Sequence, residues 1–304
     1  MTIVQAVSPA HITGFFFPCH HDDPLRSGSL GAGLNLDLWV STRVVARPGQ
    51  GSLGWHKPEQ ALQNRVSHRV AELFHSHASN WEVELDQEQF LPAGYGLGSS
   101  GAGAFSLALA LNAALGFPVK PLVAAQMAHR VEIEFKTGLG TVLAQTVGGL
   151  EMRMRAGAPG VGQVRPLSTQ SQLWVQVALW EELNTSAVLN QNDFSPQAQR
   201  VGERCLTQLE IDPSWQNFME QSSRFTQEMG LTTEMVGRVG NWLKSQGRLW
   251  AMPMFGQGVF WISETSEQEL LQKLLDHFPK PAFYWSGHLA AQGAHLAYLH
   301  THSS

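Results

Sequence analysis

Residues 92–101 read Pro-Ala-Gly-Tyr-Gly-Leu-Gly-Ser-Ser-Gly and run without a break into the Ala- and Leu-rich stretch from Ala102 to Leu115. Ala and Leu are the strongest helix formers, so a helix is expected from residue 102 to 115. A glycine-rich loop that opens a helix leaves the first backbone N–H groups without intrahelical partners. Those groups and the helix dipole form a site for an anion such as phosphate. Gly94, Gly96 and Gly98 let backbone approach a ligand with no Cβ in the way. Ser99 and Ser100 are placed to cap the helix or to offer a hydroxyl to a metal ion. The plainer reading is a turn that caps a buried helix. The pattern is neither GxxxxGK[ST] nor GxGxxG, so the two common nucleotide fingerprints are absent.

Bulk properties narrow the class. The formal net charge of −5 gives no basic footprint for nucleic acid. Cys19 and Cys205 are the only cysteines in 304 residues, which favours reduced thiols and a cytoplasmic protein. The first residues, Met1 to Ala6, lack a basic region followed by an apolar run, so no signal peptide is expected. The longest apolar run, Phe105 to Leu115, is too short for a membrane span and is broken by Ser106 and Asn112.

Strands are expected at residues 3–7, 34–45, 81–85, 152–155, 173–179, 259–262 and 282–285. Helices are expected at 60–77 (on Leu62, Val66, Val70 and Leu73), at 121–132 after Pro121, and within 138–149. Further helices are expected at 197–210, 214–229, 232–246 and 266–277. The counts imply an α+β chain in two lobes, divided near residues 160–170 into 1–165 and 166–304. The histidines His295, His300 and His302 read as a solvated tail.

Several blocks in order resemble the GHMP kinase superfamily. Pro92 through Ser100 fits its Pro-x-x-x-Gly-Leu-Gly-Ser-Ser loop, and Ala128–Glu132 with Thr137–Gly140 is similar to its third block. His11-Ile12-Thr13-Gly14-Phe15-Phe16, Gly28–Gly33 and Ala251–Gly256 make the chain most like the archaeal pantoate kinases. The resemblance implies an N-terminal lobe like domain 2 of ribosomal protein S5 and a ferredoxin-like C-terminal lobe. It implies transfer of the γ-phosphoryl of ATP to the 4-hydroxyl of pantoate, a step toward coenzyme A. ATP and Mg²⁺ would be required, and a homodimer is allowed. Pro92, Gly94, Gly96, Leu97, Gly98, Ser99, Ser100 and Gly101 would hold ATP. Glu132 would bind the metal with Ser99 or Ser100, and Glu134 is the fallback carboxylate.

Substrate would meet His11, Thr13, Met254 and Gly256. Arg26 could grip the pantoate carboxylate or a phosphate, since guanidinium pairs bidentately with planar anions, and Arg153 or Arg155 could bind an anion or line the surface. If 152–155 is a strand, Arg153 and Arg155 share a face. One position departs from the family. Its third block usually continues Gly-Leu-Gly-Asp, and that Asp is the expected general base, whereas this chain has Thr141. A threonine hydroxyl cannot take up a proton near neutral pH, which leaves Asp22, Asp23, Asp37, His20 and His21 as substitutes. The alternatives are another small-molecule GHMP kinase (homoserine, mevalonate or sugar type) and a non-catalytic paralogue that binds nucleotide or pantoate.

Overall fold

A computed structural model describes residues 1–57, 64–169, 172–183 and 194–301. The fold starts from a long hairpin, β1 (Thr2–Cys19) and β2 (Gly28–Pro48), paired along its whole length. Alternation reveals only part of each strand, because both pass through irregular points. Pro9, which has no N–H to give to a ladder, sits at a bulge between Pro9 and Ala10. A second irregularity falls between Thr13 and Phe15. A Cβ on Gly14 would lie 2.2 Å from Ser222 Oγ, so the missing side chain is what lets a helix approach this bend.

Four elements extend the hairpin on one side of the chain's middle. These are β3 (Ser52–Trp55), α1 (Arg65–Phe74), a 3₁₀ turn at His75–Ala78 and β4 (Trp81–Gln89). Asn64 caps α1 by accepting from the N–H of Ser67. Of the helix expected over 60–77, the described part starts after Asn64 and gives way to the 3₁₀ turn at His75, and residues 60–63, Leu62 among them, lie outside the described residues. Helix α2 (Ser99–Ala114) follows, then α3 (Pro121–Phe135) and the single turn α4 (Thr141–Ala144), shorter than the two turns expected. Fourteen of the sixteen residues of α2 are buried, the mark of a helix enclosed on all sides.

β5 (Leu150–Arg155) pairs with the first half of β2, whereas β4 pairs with its second half. β6 (Gln163–Leu167) adds an edge to β5. The remaining elements are β7 (Trp174–Glu182), α5 (Phe194–Ile211), α6 (Trp215–Met229) and α7 (Glu234–Ser245). They are followed by β8 (Gly256–Ser263), α8 (Gln268–His277), β9 (Phe283–His288) and β10 (His295–Thr301). The first sheet has seven strands, ordered β10-β1-β2-β4-β3 with β5 and β6 branching from β2. The second is antiparallel, ordered β8-β7-β9.

Residues 295–301 are thus not a solvated tail. They form β10, paired with β1 from Thr2↔Thr301 to Val7↔His295, while His302 lies outside the described residues. One apolar cluster fills the space between α1, α2, α3 and the first sheet. A second runs from the far half of the hairpin into the second sheet and α5–α7. Cys19 and Cys205 are free thiols. No helix of the described residues is long and apolar enough to cross a membrane.

Candidate functional site

The hairpin bend, the start of α2, the α3–α4 turn, β5 and the 254–255 turn converge on one cavity. Its wall includes His11, Thr13, Gly94, Gly96 to Gly101, Glu132, Thr141, Arg153 and Met254. The loop arrives at α2 through Gly96 (φ +76°) and Gly98 (φ +62°), both left-handed. A Cβ on Gly96 would lie 2.8 Å from the carbonyl oxygen of Met254, and one on Gly98 would lie 2.8 Å from Thr141 Cγ2. Gly98 is the residue before α2, and no side chain caps that end. The first-turn N–H groups therefore face the cavity at the positive end of a buried helix. Neither serine spends its hydroxyl on capping.

Ser100 Oγ donates instead to Glu132 Oε1 at 2.5 Å, and Thr137 Oγ1 donates to the same oxygen at 2.6 Å. Glu132 is the carboxyl of α3 turned inward and is 2% exposed. Burial pushes its pKa up, opposed by the two hydroxyl bonds. A buried carboxyl wrapped in hydroxyls is a hard-oxygen donor set that a small divalent cation would relieve. Glu134 is not an alternative, because it lies half-exposed against Arg69 Nε at 3.3 Å.

The opposite wall carries a buried ion pair. On β5, Glu151 and Arg153 alternate with apolar residues and are both fully buried. Glu151 Oε1 accepts from His11 Nε2 at 3.0 Å and pairs with Arg153 Nη1 at 3.3 Å. Against a carboxylate acceptor, Nε2 carries the imidazole proton. Burial lowers the His11 pKa more than the Glu151 bond raises it, so the ring is neutral at pH 7. Burial likewise lowers the Arg153 pKa, with Glu151 opposing. Arg153 Nε and Nη2 have no hydrogen-bond partner in the described structure. A buried guanidinium with two free donors is costly alone, and a planar anion would complete it.

Most of the sequence-derived residues meet here, but not all. Arg26 is exposed in the turn between β1 and β2 and does not line the cavity. Pro92 opens the loop without reaching the wall. Gly256 lies behind it, where a Cβ would sit 2.0 Å from the carbonyl oxygen of Tyr95. Arg155 does not share the face of Arg153. A bulge separates them, and Arg155 donates outside the site to the carbonyl oxygen of Val161. His20, His21, Asp22 and Asp23 form an exposed polar turn, in which Asp23 accepts from the N–H of Leu25. Asp37 bonds the Trp39 indole. None of these proposed substitute bases lines the cavity.

Sequence reasoning missed Glu151, Ser29, Thr137 and Phe16 as wall or supporting residues. The available signal for Glu151 was a charge two residues from Arg153 in an otherwise apolar strand. A wider open groove continues from the cavity past Gly94, Ser99 and Thr137, walled by Asn64, Arg65 and Phe135.

Residues 64–149 match the family model described as the GHMP kinases N terminal domain. The chain is 34% identical over 290 residues to a pantoate kinase of Thermococcus kodakarensis, covering 92% of this chain and 94% of that protein. It is 30% identical over 265 residues to a pantoate kinase of Methanocaldococcus jannaschii, covering 86% and 94%. A solved phosphotransferase related to the CoA biosynthesis pathway superposes with a TM-score of 0.85 at 30% identity, covering 98% and 99% of the two chains. A homoserine kinase from Cytophaga hutchinsonii superposes with a TM-score of 0.70 at 15% identity over 97% of each chain, which extends the fold alone. The α+β architecture is thus that of the GHMP kinases, and the chain belongs to the pantoate kinase family within them.

Proposed function

We propose that the chain transfers the γ-phosphoryl of ATP to the 4-hydroxyl of pantoate, giving 4-phosphopantoate for coenzyme A synthesis. One observation carries the assignment beyond family likeness. A buried guanidinium with two unpartnered donors, Arg153, shares a cavity with the uncapped N-terminus of α2. That pairing suits a small hydroxy acid on one side and a polyphosphate on the other.

Phosphoryl transfer through a loose transition state asks for positioning and charge stabilisation more than for covalent chemistry. The N–H groups of Gly98 to Gly101 would hold the phosphates, and the open groove beyond Thr137 would take the rest of the nucleotide. Arg153, braced by Glu151, would hold the acceptor carboxylate. His11 and Thr13 would orient its hydroxyls. Ser100 and Glu132 are the residues that would hold Mg²⁺, with Ser99 beside them. When bound, the ion neutralises charge on the β- and γ-phosphate oxygens.

The acceptor oxygen bonds to the γ-phosphorus, the bond to the β–γ bridging oxygen breaks, and ADP leaves. Thr141 offers no base, so the hydroxyl proton passes to the transferred phosphoryl group or to water. Proton removal contributes little early in a loose transition state, which makes the missing carboxylate tolerable.

An acceptor screen tests the reading by following ADP release with Mg²⁺ and pantoate, homoserine, mevalonate or a sugar. Pantoate alone should drive turnover. Binding of ATP with Mg²⁺ and no turnover on any acceptor would instead support the non-catalytic reading that Thr141 raises.

A further inference from the structure

The same cavity has an apolar wall that phosphate and carboxylate binding leave unused. Phe16, Met254 and Phe255 line it, and the Phe16 and Phe255 rings meet edge-to-face with centroids 5.4 Å apart. Phe255 has φ +66°, a left-handed conformation that is uncommon outside glycine and costly for a bulky residue. Glycine or asparagine would make the same turn with less strain, so the turn does not need an aromatic ring. The ring is held by Phe16 and by Phe194, whose centroid is 6.3 Å away. The turn itself is tied to the hairpin, because the N–H of Met254 donates to the carbonyl oxygen of Thr13 at 3.0 Å. Backbone strain is therefore kept at a turn that puts an aromatic residue in the cavity wall.

The geometry points to Phe255, backed by Phe16 and Met254, as the determinant that selects an acceptor with a quaternary dimethyl carbon between its carboxylate and the hydroxyl to be phosphorylated. This rests on pantoate as the acceptor. Pantoate carries two methyl groups at C3, between a carboxylate end suited to Arg153 and a hydroxyl end directed at the phosphate loop. An unbranched 2,4-dihydroxybutanoate satisfies the same polar groups and leaves the aromatic wall uncovered.

The test compares pantoate with 2,4-dihydroxybutanoate in the wild type, Phe255→Gly and Phe255→Asn. Both substitutions suit a left-handed backbone, and thermal melts report whether each variant is folded. The wild type should prefer pantoate by about 10–100-fold in kcat/KM, the scale expected for methyl groups in an apolar pocket. Both variants should lose most of that preference while KM for ATP holds.

Calorimetric binding of the two acids in the presence of ADP and Mg²⁺ reads the same preference without turnover. Turnover of pantoate with equal use of both acids, or a preference that survives in both variants, overturns the role of Phe255. Methyl-dependent binding without turnover overturns the kinase reading and leaves this one standing. Neither binding nor turnover of pantoate overturns both.

Discussion

Replacing Arg153 by lysine separates recognition of the acceptor from stability of the fold. In the wild type the fully buried guanidinium faces Glu151 through Nη1 and leaves Nε and Nη2 for a ligand. Lysine keeps a positive charge beside Glu151 but offers a point charge in place of the planar fork. The variant should therefore lose about one charge-assisted hydrogen bond to the pantoate carboxylate. Such a bond is worth about 1.5–3 kcal/mol, or about 10–150-fold in affinity. We expect KM for pantoate to rise by that factor while KM for ATP and the melting temperature change little.

Arg153→Met is the wrong experiment alone. It would leave Glu151 as a buried charge without a cation, at a cost of about 3–5 kcal/mol, and would report on stability. Steady-state kinetics with each substrate varied in turn decide the matter. A pantoate KM that moves less than about threefold, or an equal rise in both KM values, would refute the assignment of Arg153 to the acceptor.

Other substitutions probe the rest of the site. Because burial raises the Glu132 pKa, the native state favours the protonated acid. That stability is complete below the ordinary glutamate range and is lost as pH rises through the elevated value. Without nucleotide, Glu132→Gln should melt at or above the wild-type temperature on the alkaline side, and the gap should close in acid. A gap independent of pH in scanning calorimetry would contradict this. Mg²⁺-ATP should stabilise the wild type far more than this variant. Thr141→Asp should leave turnover unchanged or raise it, since it restores a carboxylate beside the phosphate loop. A large loss of kcat would show that the threonine itself positions the loop, in keeping with the 2.8 Å approach of its Cγ2 to the Cβ position of Gly98. Gly98→Ala, at φ +62° and against that methyl, should weaken ATP binding by at least about tenfold in a titration. Unchanged ATP affinity would remove the loop from the nucleotide site.

The glycine-rich entry to α2 was legible because its signal is local. Glycine spacing and a run of helix formers identify the start of α2 whatever packs around it. Glu132 and Arg153 were legible as chemistry, and their neighbours in space were not. Glu151 lies beneath both His11 and Arg153 because β1, β2 and β5 lie side by side, and no single-strand pattern reports that pairing. The substitutes suggested for the missing acid failed for the same reason. Asp22, Asp23, His20 and His21 are close to the hairpin in sequence, but the turn carries them into solvent.

Strand β10 was unreadable because its side chains are mostly half-buried or exposed, so alternation is faint and only pairing with β1 orders it. β1 runs well past the expected 3–7, through irregular points at Pro9 and around Gly14 within one strand. Arg155 shows the converse error: a two-residue spacing implied a shared face, and a bulge in the β5–β6 ladder removed it.

The most direct test of the account is phosphorus NMR and mass spectrometry on the protein incubated with ATP, Mg²⁺ and pantoate. The account predicts one phosphate gained per pantoate, esterified at the 4-hydroxyl and matched by ADP. ATP that stays intact at high enzyme concentration, or a phosphate carried at another position, would contradict it.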